Sequence, residues 1–279
     1  MNKKIFWASI LMITLLLTAI LLPGIYANAV SAATTVSGSQ LSGGMGDDIS
    51  IRYAVDRGKG VLDILVSGTN DEIMYRLMKD DITYTYRHKP DARAAIPLNM
   101  GSGEYALTVG VMISDTRARV LWRTTLPVAL DCELIPYLSS SKIVNWTEEM
   151  PLVQTAKKLA HENDPRGTAL AIGRYISERF AYDYDIMDLP AGYIPDLIQV
   201  YENDKGICYD YAALYAAMCR AVGIPTKLIM GYSSYIGPEY HAWCLVRIDG
   251  EWHKFDPVYS MYKGAQFLCA SNTVEERKY

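Results

Sequence analysis

The chain has 279 residues, 50% of them hydrophobic, with 27 Lys and Arg against 31 Asp and Glu for a net charge of −4. That is enough apolar material for about two ordinary domains and excludes the low-hydrophobicity, high-charge signature of disorder. The mildly acidic balance argues against a nucleic-acid binder, which needs a basic face, and 20 Gly with 12 Pro exclude collagen-like or Pro-rich scaffolds. Tyrosine is over-used, 21 against 4 Phe. An aromatic body with a polar tip suits half-wet clefts, but plain replacement of Phe in cores and surfaces would cover most of them.

The N-terminus reads as an address. Lys3 and Lys4 precede an uncharged run at 5–22, closed by Pro23 and Gly24. The small residues Ala27-Asn28-Ala29 and Val30-Ser31-Ala32 each fit a cleavage site, so residues 1–32 are expected to be a secretory signal peptide. A run of this length is also borderline for a membrane span, so a retained anchor is the alternative, and the only membrane link expected. The expected location is secreted or at the cell envelope. Five cysteines follow (Cys132, Cys208, Cys219, Cys244 and Cys269), and an odd count in an exported protein leaves at least one thiol unpaired. No C-x-x-C pair occurs. A mixed zinc site of His241, Cys244 and His253 matches no usual spacing, so no metal or cofactor is expected.

A Ser/Thr/Gly-rich linker at 33–46 leads into period-two alternation: Ile49, Ile51, Tyr53 and Val55; Leu62, Ile64 and Val66; Ile82, Tyr84 and Tyr86; then Tyr105, Leu107, Val109, Val111 and Ile113. Turn residues separate these runs, as in Ser67-Gly68-Thr69-Asn70. Half-buried strands at such spacing predict an antiparallel sandwich over 47–135. The segment Ser102-Gly103-Glu104-Tyr105 resembles the late strands of bacterial immunoglobulin-like modules. No cluster there suggests chemistry, which favours a spacer over a substrate- or wall-binding module.

From 137 to 279 the period turns helical. Asp164 before Pro165 makes an N-cap and first-turn pair, and Ala169, Ile172, Gly173, Ile176 and Phe180 follow at helical spacing. An earlier helix is expected over about 152–161, with Val153, Ala156 and Ala160 on one side. A Tyr- and Asp-rich loop at 182–193 then leads to a short helix near 196–201.

The chemistry is concentrated between Gly206 and Asp256. A helix is predicted over 208–222, ended by Gly223 and kept from continuing by Pro225. Cys208 falls in its first turn, where the helix dipole stabilises a thiolate and free N–H groups can face an oxyanion. Cys219 sits three turns in, without either effect, and reads as a small core residue. A thiolate needs a base, and the base an orienting acceptor. The segment 240–248 alternates as a strand, Asp249-Gly250 is a strong two-residue hairpin signal, and 251–258 returns. With that turn Ile248 faces Glu251, so His241 and Asp256 are diagonal neighbours on one face, while His253 points to the other. A Cys at a helix start with a His and an Asp on one hairpin is a nucleophile–base–orienter set.

The ordered segments Gly206-Ile207-Cys208-Tyr209-Asp210, Gly223-Ile224-Pro225, His241-Ala242-Trp243, Asp249-Gly250-Glu251-Trp252 and Asp256-Pro257 resemble the core of the transglutaminase-like superfamily. The resemblance implies an α+β, papain-like core over 137–279, its helices packed on an antiparallel sheet, and a Cys-His-Asp triad of Cys208, His241 and Asp256. It implies thiol-dependent acyl transfer on peptide or protein carboxamides, by transamidation or hydrolysis, and no metal. Tyr193 or Tyr182 could supply the second oxyanion donor that such enzymes place upstream of the cysteine. Two rivals stand beside this: an envelope-binding protein with a vestigial triad, and a structural protein with Cys208 in a disulfide.

Overall fold

The computed structural model describes residues 36–37, 49–186, 189–190, 192–233, 237–268 and 273–279. The leader expected over 1–32, most of the linker expected over 33–46, and Cys269 lie outside the described residues.

The first half is built of strands: β1 (Val36–Ser37), β2 (Ser50–Asp56), β3 (Val61–Ser67), β4 (Ile73–Lys79), β5 (Ile82–His88), β6 (Ala94–Pro97), β7 (Gly103–Ser114) and β8 (Arg117–Val128). They form two antiparallel four-stranded sheets, ordered β1-β2-β3-β6 and β5-β4-β7-β8. The alternation seen in the sequence is the buried face: Leu62, Ile64 and Val66 of β3 and Tyr105, Leu107 and Val109 of β7 are all inside. Alternation does not mark β4, β6 or β8. Central β4 buries Ile73, Met74 and Tyr75 in succession, so its period-two signal is lost. Edge strand β8 carries Arg117, Arg119, Arg123 and Pro127, a composition that blunts an edge rather than advertising a strand.

The second half holds α1 (Pro151–Leu159), α2 (Pro165–Arg179), β9 (Ala181–Tyr182), α3 (Leu197–Asn203), β10 (Lys205–Gly206), α4 (Cys208–Ala221), β11 (Thr226–Ser233), β12 (Gly237–Ile248), β13 (Glu251–Phe255), α5 (Pro257–Lys263), β14 (Phe267–Leu268) and β15 (Thr273–Lys278). Its antiparallel sheet has the order β14-β13-β12-β11-β15. The whole is α+β, with α4 at its centre. Every side chain from Tyr209 to Arg220 is buried, and the alanines of α4 allow the sheet close enough for the Cys244 thiol to donate to the Ala212 carbonyl at 3.2 Å.

The hairpin is the predicted one. Asp249 and Gly250 both have positive φ (52° and 81°), and Ile248 pairs with Glu251 through to Cys244 with Phe255. The return strand expected to reach 258 instead stops at Phe255, because Asp256 caps α5 and Pro257 occupies its first turn.

One clamp ties this hairpin to the helices. Phe255 stacks on Tyr215 of α4, with ring centroids 4.3 Å apart and planes at 9°, and its ring tip abuts Gly173 of α2. A Cβ at Gly173 would lie 2.1 Å from the ring tip.

The two halves also join through the last strand. Tyr84 of β5 accepts from the Lys278 amide at 3.0 Å and packs against the ring of Tyr279. Buried Arg220 donates to the carbonyls of Thr226, Ser139 and Tyr279 at 2.9–3.0 Å. No helix among the described residues is long and apolar enough to cross a membrane.

Gly173→Ala should overpack the Phe255–Tyr215 stack and cost about 1–3 kcal/mol. Urea titration reads this as a lower midpoint at constant slope; an unchanged midpoint would show that the ring yields freely.

Candidate active site

Cys208 is the first residue of α4 and is half-buried. The turn it opens is held by Asp210, whose carboxylate accepts from the Ile207 amide at 2.9 Å and from the Tyr193 hydroxyl at 2.6 Å. Burial pushes the Asp210 carboxyl up, and those two bonds pull it part of the way back. Tyr193, one of the two expected oxyanion donors, is therefore committed to Asp210.

Tyr182 is placed differently. The two-residue parallel ladder of β9 and β10 sets Tyr182 beside Gly206, two residues before the cysteine. The ladder is extended by Asp183 donating to Gly206 at 2.8 Å and by Ala181 donating to Asp204 at 2.9 Å. The Tyr182 phenol meets both the amide and the sulfur of Cys208. Burial, then the charge of that sulfur, hold it up to about 12, so it remains a donor at neutral pH.

His241 of β12 is 4% exposed and Asp256 is 0% exposed. The imidazole Nε2–H donates to Asp256 Oδ2 at 2.9 Å, which leaves Nδ1 for the sulfur of Cys208, its other partner. The other carboxylate oxygen of Asp256 accepts from the amides of Val258 and Tyr259, each at 3.0 Å. One carboxylate thus caps α5 and orients the imidazole. Burial works against the imidazolium, but the hydrogen bonds and charges of Asp256 and Cys208 outweigh it and hold the pKa up to about 9.

Cys208 and His241 open on a cleft of about 390 Å³, also lined by Tyr182, Tyr240, Tyr259 and Glu239. Tyr184 and Tyr262 meet hydroxyl to hydroxyl across its mouth. The remaining polar residues of the motifs stand apart from the sulfur. His253 pairs with Val246 and lies against Arg166 and Phe267. Cys219 is buried, its thiol pushed up to about 12, and Cys244 is pushed up further by burial. Among the described residues no group of three His, Cys, Asp or Glu side chains could hold a metal ion. Cys132, Cys208, Cys219 and Cys244 are free thiols.

Two supporting elements went unread in the sequence. Asp210 at the third position of its helix accepts from the N-cap amide of Ile207, a one-way cap because Ile207 has no acceptor on its side chain. Trp243 stacks near His241 at 6.4 Å and 20°, with the Lys254 ammonium 4.6 Å from the Trp243 ring centre. That layer depends on cross-strand packing and has no motif of its own.

The model of the transglutaminase-like superfamily matches residues 153–257, a span that contains Cys208, His241 and Asp256. The chain carries a transglutaminase-like domain. Two curated relatives are similar to it: the kyphoscoliosis peptidase of Mus musculus, 28% identical over 138 residues, and that of Homo sapiens, 33% identical over 66 residues. The match covers 46% of this chain and 21% of the mouse protein, and 20% of this chain and 10% of the human one. The chain thus spans no more than about a fifth of the length of these relatives. Among solved structures, a candidate cysteine protease from Cytophaga hutchinsonii is similar at 17% identity and a TM-score of 0.43, covering 76% of this chain and 73% of that one. The periplasmic domain of TgpA from Pseudomonas aeruginosa gives 16% and 0.36, covering 85% and 81%.

The raised His241 pKa makes stability depend on pH. Folding lifts this group above its unfolded value of 6.5, so its contribution, about 3 kcal/mol, is fully present below pH 6.5 and is lost as pH rises through about 9. Asp256→Asn keeps a capping oxygen for α5 but removes the charge. Denaturation midpoints measured from pH 6 to 9 should fall in the native protein and stay nearly level in this variant; parallel slopes would disconnect the two residues.

Proposed function

We propose that the chain is a thiol-dependent enzyme acting on the carboxamides of peptides or proteins. Cys208 is its nucleophile, His241 its proton carrier and Asp256 the residue that positions the imidazole. The observation that carries this is the bond between buried His241 and Asp256 beside a cysteine at a helix start, on the wall of an open cleft. No structural role requires the three together.

The chemistry follows from the orientation. Cys208 Sγ attacks the carbonyl carbon with the thiol proton already held on His241 Nδ1, Nε2 being engaged by Asp256. The tetrahedral oxyanion would displace the Tyr182 phenol from the Cys208 N–H and then be held by that N–H, which has no partner within the helix, and by the Tyr182 hydroxyl. Collapse breaks the carbon–nitrogen bond, His241 returns the proton to the departing amine, and a thioester remains. Water or a primary amine, deprotonated by His241, then resolves it. The similar relatives carry the name peptidase, which favours water.

The leader at 1–32 is part of the proposal and supports action outside the cytoplasm, secreted or at the envelope. So is an immunoglobulin-like identity for the sandwich at 47–135. It is supported by the two antiparallel sheets and by Tyr105, whose hydroxyl donates back to the Gly101 carbonyl at 2.7 Å.

Incubation with a glutamine-containing peptide and a tagged primary amine, followed by mass spectrometry, separates cleaved or deamidated product from amine-bearing product. Cys208→Ala should abolish both. Iodoacetamide mapping should label Cys208 rapidly and spare buried Cys219 and Cys244. Absence of any product together with a sluggish Cys208 would return the chain to the binding-protein reading.

Tyr182→Phe should lower kcat roughly 10²–10³-fold with a smaller change in KM, the cost of one lost oxyanion donor. An unchanged kcat would remove Tyr182 from the oxyanion site.

A further inference from the structure

A second cavity, of about 460 Å³, lies beside the cleft at Cys208. Its walls come from both halves of the chain: Tyr86 of β5, Tyr193 of the loop before α3, Tyr209 of α4, Tyr240 of β12, and Arg277 and Tyr279 at the C-terminal strand. The two cavities are adjacent by construction. Cys208 and His241 line the first, the chain neighbours Tyr209 and Tyr240 line the second, and Tyr240 is a wall of both. Neighbouring Cα atoms are about 3.8 Å apart, and an extended peptide advances about 3.3–3.6 Å per residue. A substrate chain with its carboxamide at Cys208 would therefore reach the second cavity within a few residues.

Three observations define what that cavity would take. Arg277 is exposed, and among the described residues no carboxylate pairs with it; its polar neighbours are the phenols of Tyr279, at 3.5 Å, and Tyr240. A guanidinium so placed has its planar fork available for a carboxylate. Tyr86 lines the cavity but is itself buried, and with its hydroxyl closed off from the cavity it adds an aromatic wall there rather than a donor. The other walls are aromatic rings with Met230 and Ile194, surfaces suited to an organic body rather than to a bare inorganic anion.

We infer that this cavity is a substrate subsite in which Arg277 takes a carboxylate carried by the peptide within a few residues of the reacting carboxamide. The inference rests on the acyl-transfer reading of Cys208. The carboxylate could belong to an acidic side chain or to the end of the peptide chain.

The test uses the full chain with Cys208→Ala, which binds without turnover, and three peptides in low-salt calorimetry. Acetyl-Ala-Glu-Glu-Gln-Glu-Glu-Ala-amide presents acidic side chains on both flanks. Acetyl-Ala-Gln-Gln-Gln-Gln-Gln-Ala-amide is its neutral counterpart, and acetyl-Ala-Gln-Gln-Gln with a free carboxyl end presents the terminal group alone. At least one carboxylate peptide should bind about tenfold or more tightly than the neutral one, and which one names the source. Adding Arg277→Gln should erase that preference, with neutral-peptide binding unchanged. Arg277 is exposed, so an unaltered denaturation midpoint will show that its variant is folded. Equal affinity for all three peptides, no binding of any, or a preference that survives Arg277→Gln overturns the inference. Alkylation of Cys208 in the otherwise native chain is read separately. A reactive Cys208 without acid preference removes the subsite and leaves the enzyme, whereas acid preference with an inert Cys208 leaves a carboxylate-binding site and removes the enzyme.

Discussion

The organisation of the second half turns on the carboxylate of Asp256. A fully buried carboxylate is costly unless its oxygens are met by donors. Here one oxygen receives two amides of α5 and the other receives the imidazole of His241. The chain leaves β13, starts α5 and orients the proposed base at a single residue, so these three features cannot drift independently. Pro257 reinforces the turn, since its fixed φ suits the first helical position and its missing N–H removes a donor that would otherwise need a partner. One residue earlier, Phe255 is held between Tyr215 and Gly173. Core packing among α2, α4 and the hairpin therefore sets the position of the polar pair to within the play of a clamped ring.

The sulfur is positioned by a separate device. Cys208 follows the short parallel ladder of β9 and β10, and Tyr211 one turn later donates to the Ala181 carbonyl at 2.5 Å. The loop bearing Tyr182 is thus fastened to the helix that bears Cys208, and phenol, amide and sulfur converge. At the other end of the same helix Arg220 spreads its delocalised charge over three carbonyls, which suits a buried guanidinium better than a buried ammonium. One of those carbonyls belongs to Tyr279, whose ring packs on Tyr84 and Tyr86 of the β-sheet half. The helix that starts at the sulfur consequently ends at the junction between the halves.

What the sequence made legible was what depends on local rules. The Asp249-Gly250 turn sets the register of the hairpin, and that register puts His241 and Asp256 on one face. Asp164 with Pro165, and Gly223 after Ala221, bound their helices within a residue or two of the expected places. Strands β4 and β8 were not legible because one is buried without alternation and the other is an exposed, arginine-bearing edge. Helix α5 was missed because Asp256-Pro257 reads equally well as a turn, and only the burial of the carboxylate decides between them. The choice between Tyr182 and Tyr193 was open for a related reason. Both precede the cysteine in a Tyr-rich loop, and the two-residue ladder that sorts them is too short to leave a pattern.

The tyrosine excess now divides in two. Tyr75, Tyr105, Tyr211 and Tyr215 are fully buried large side chains, the expected substitution for Phe, and Tyr105, Tyr211 and Tyr215 each anchor a hydroxyl on a backbone carbonyl. A second set surrounds the two cavities: Tyr182, Tyr184, Tyr259 and Tyr262 on one side, Tyr193 and Tyr209 on the other, with Tyr240 between. A phenylalanine could pack in most of these places but could not donate. Under the proposed acyl transfer, a phenol such as Tyr182 would supply a donor to the developing oxyanion without the desolvation cost of a fixed charge. The composition that looked like a core preference thus lines the two cavities as well.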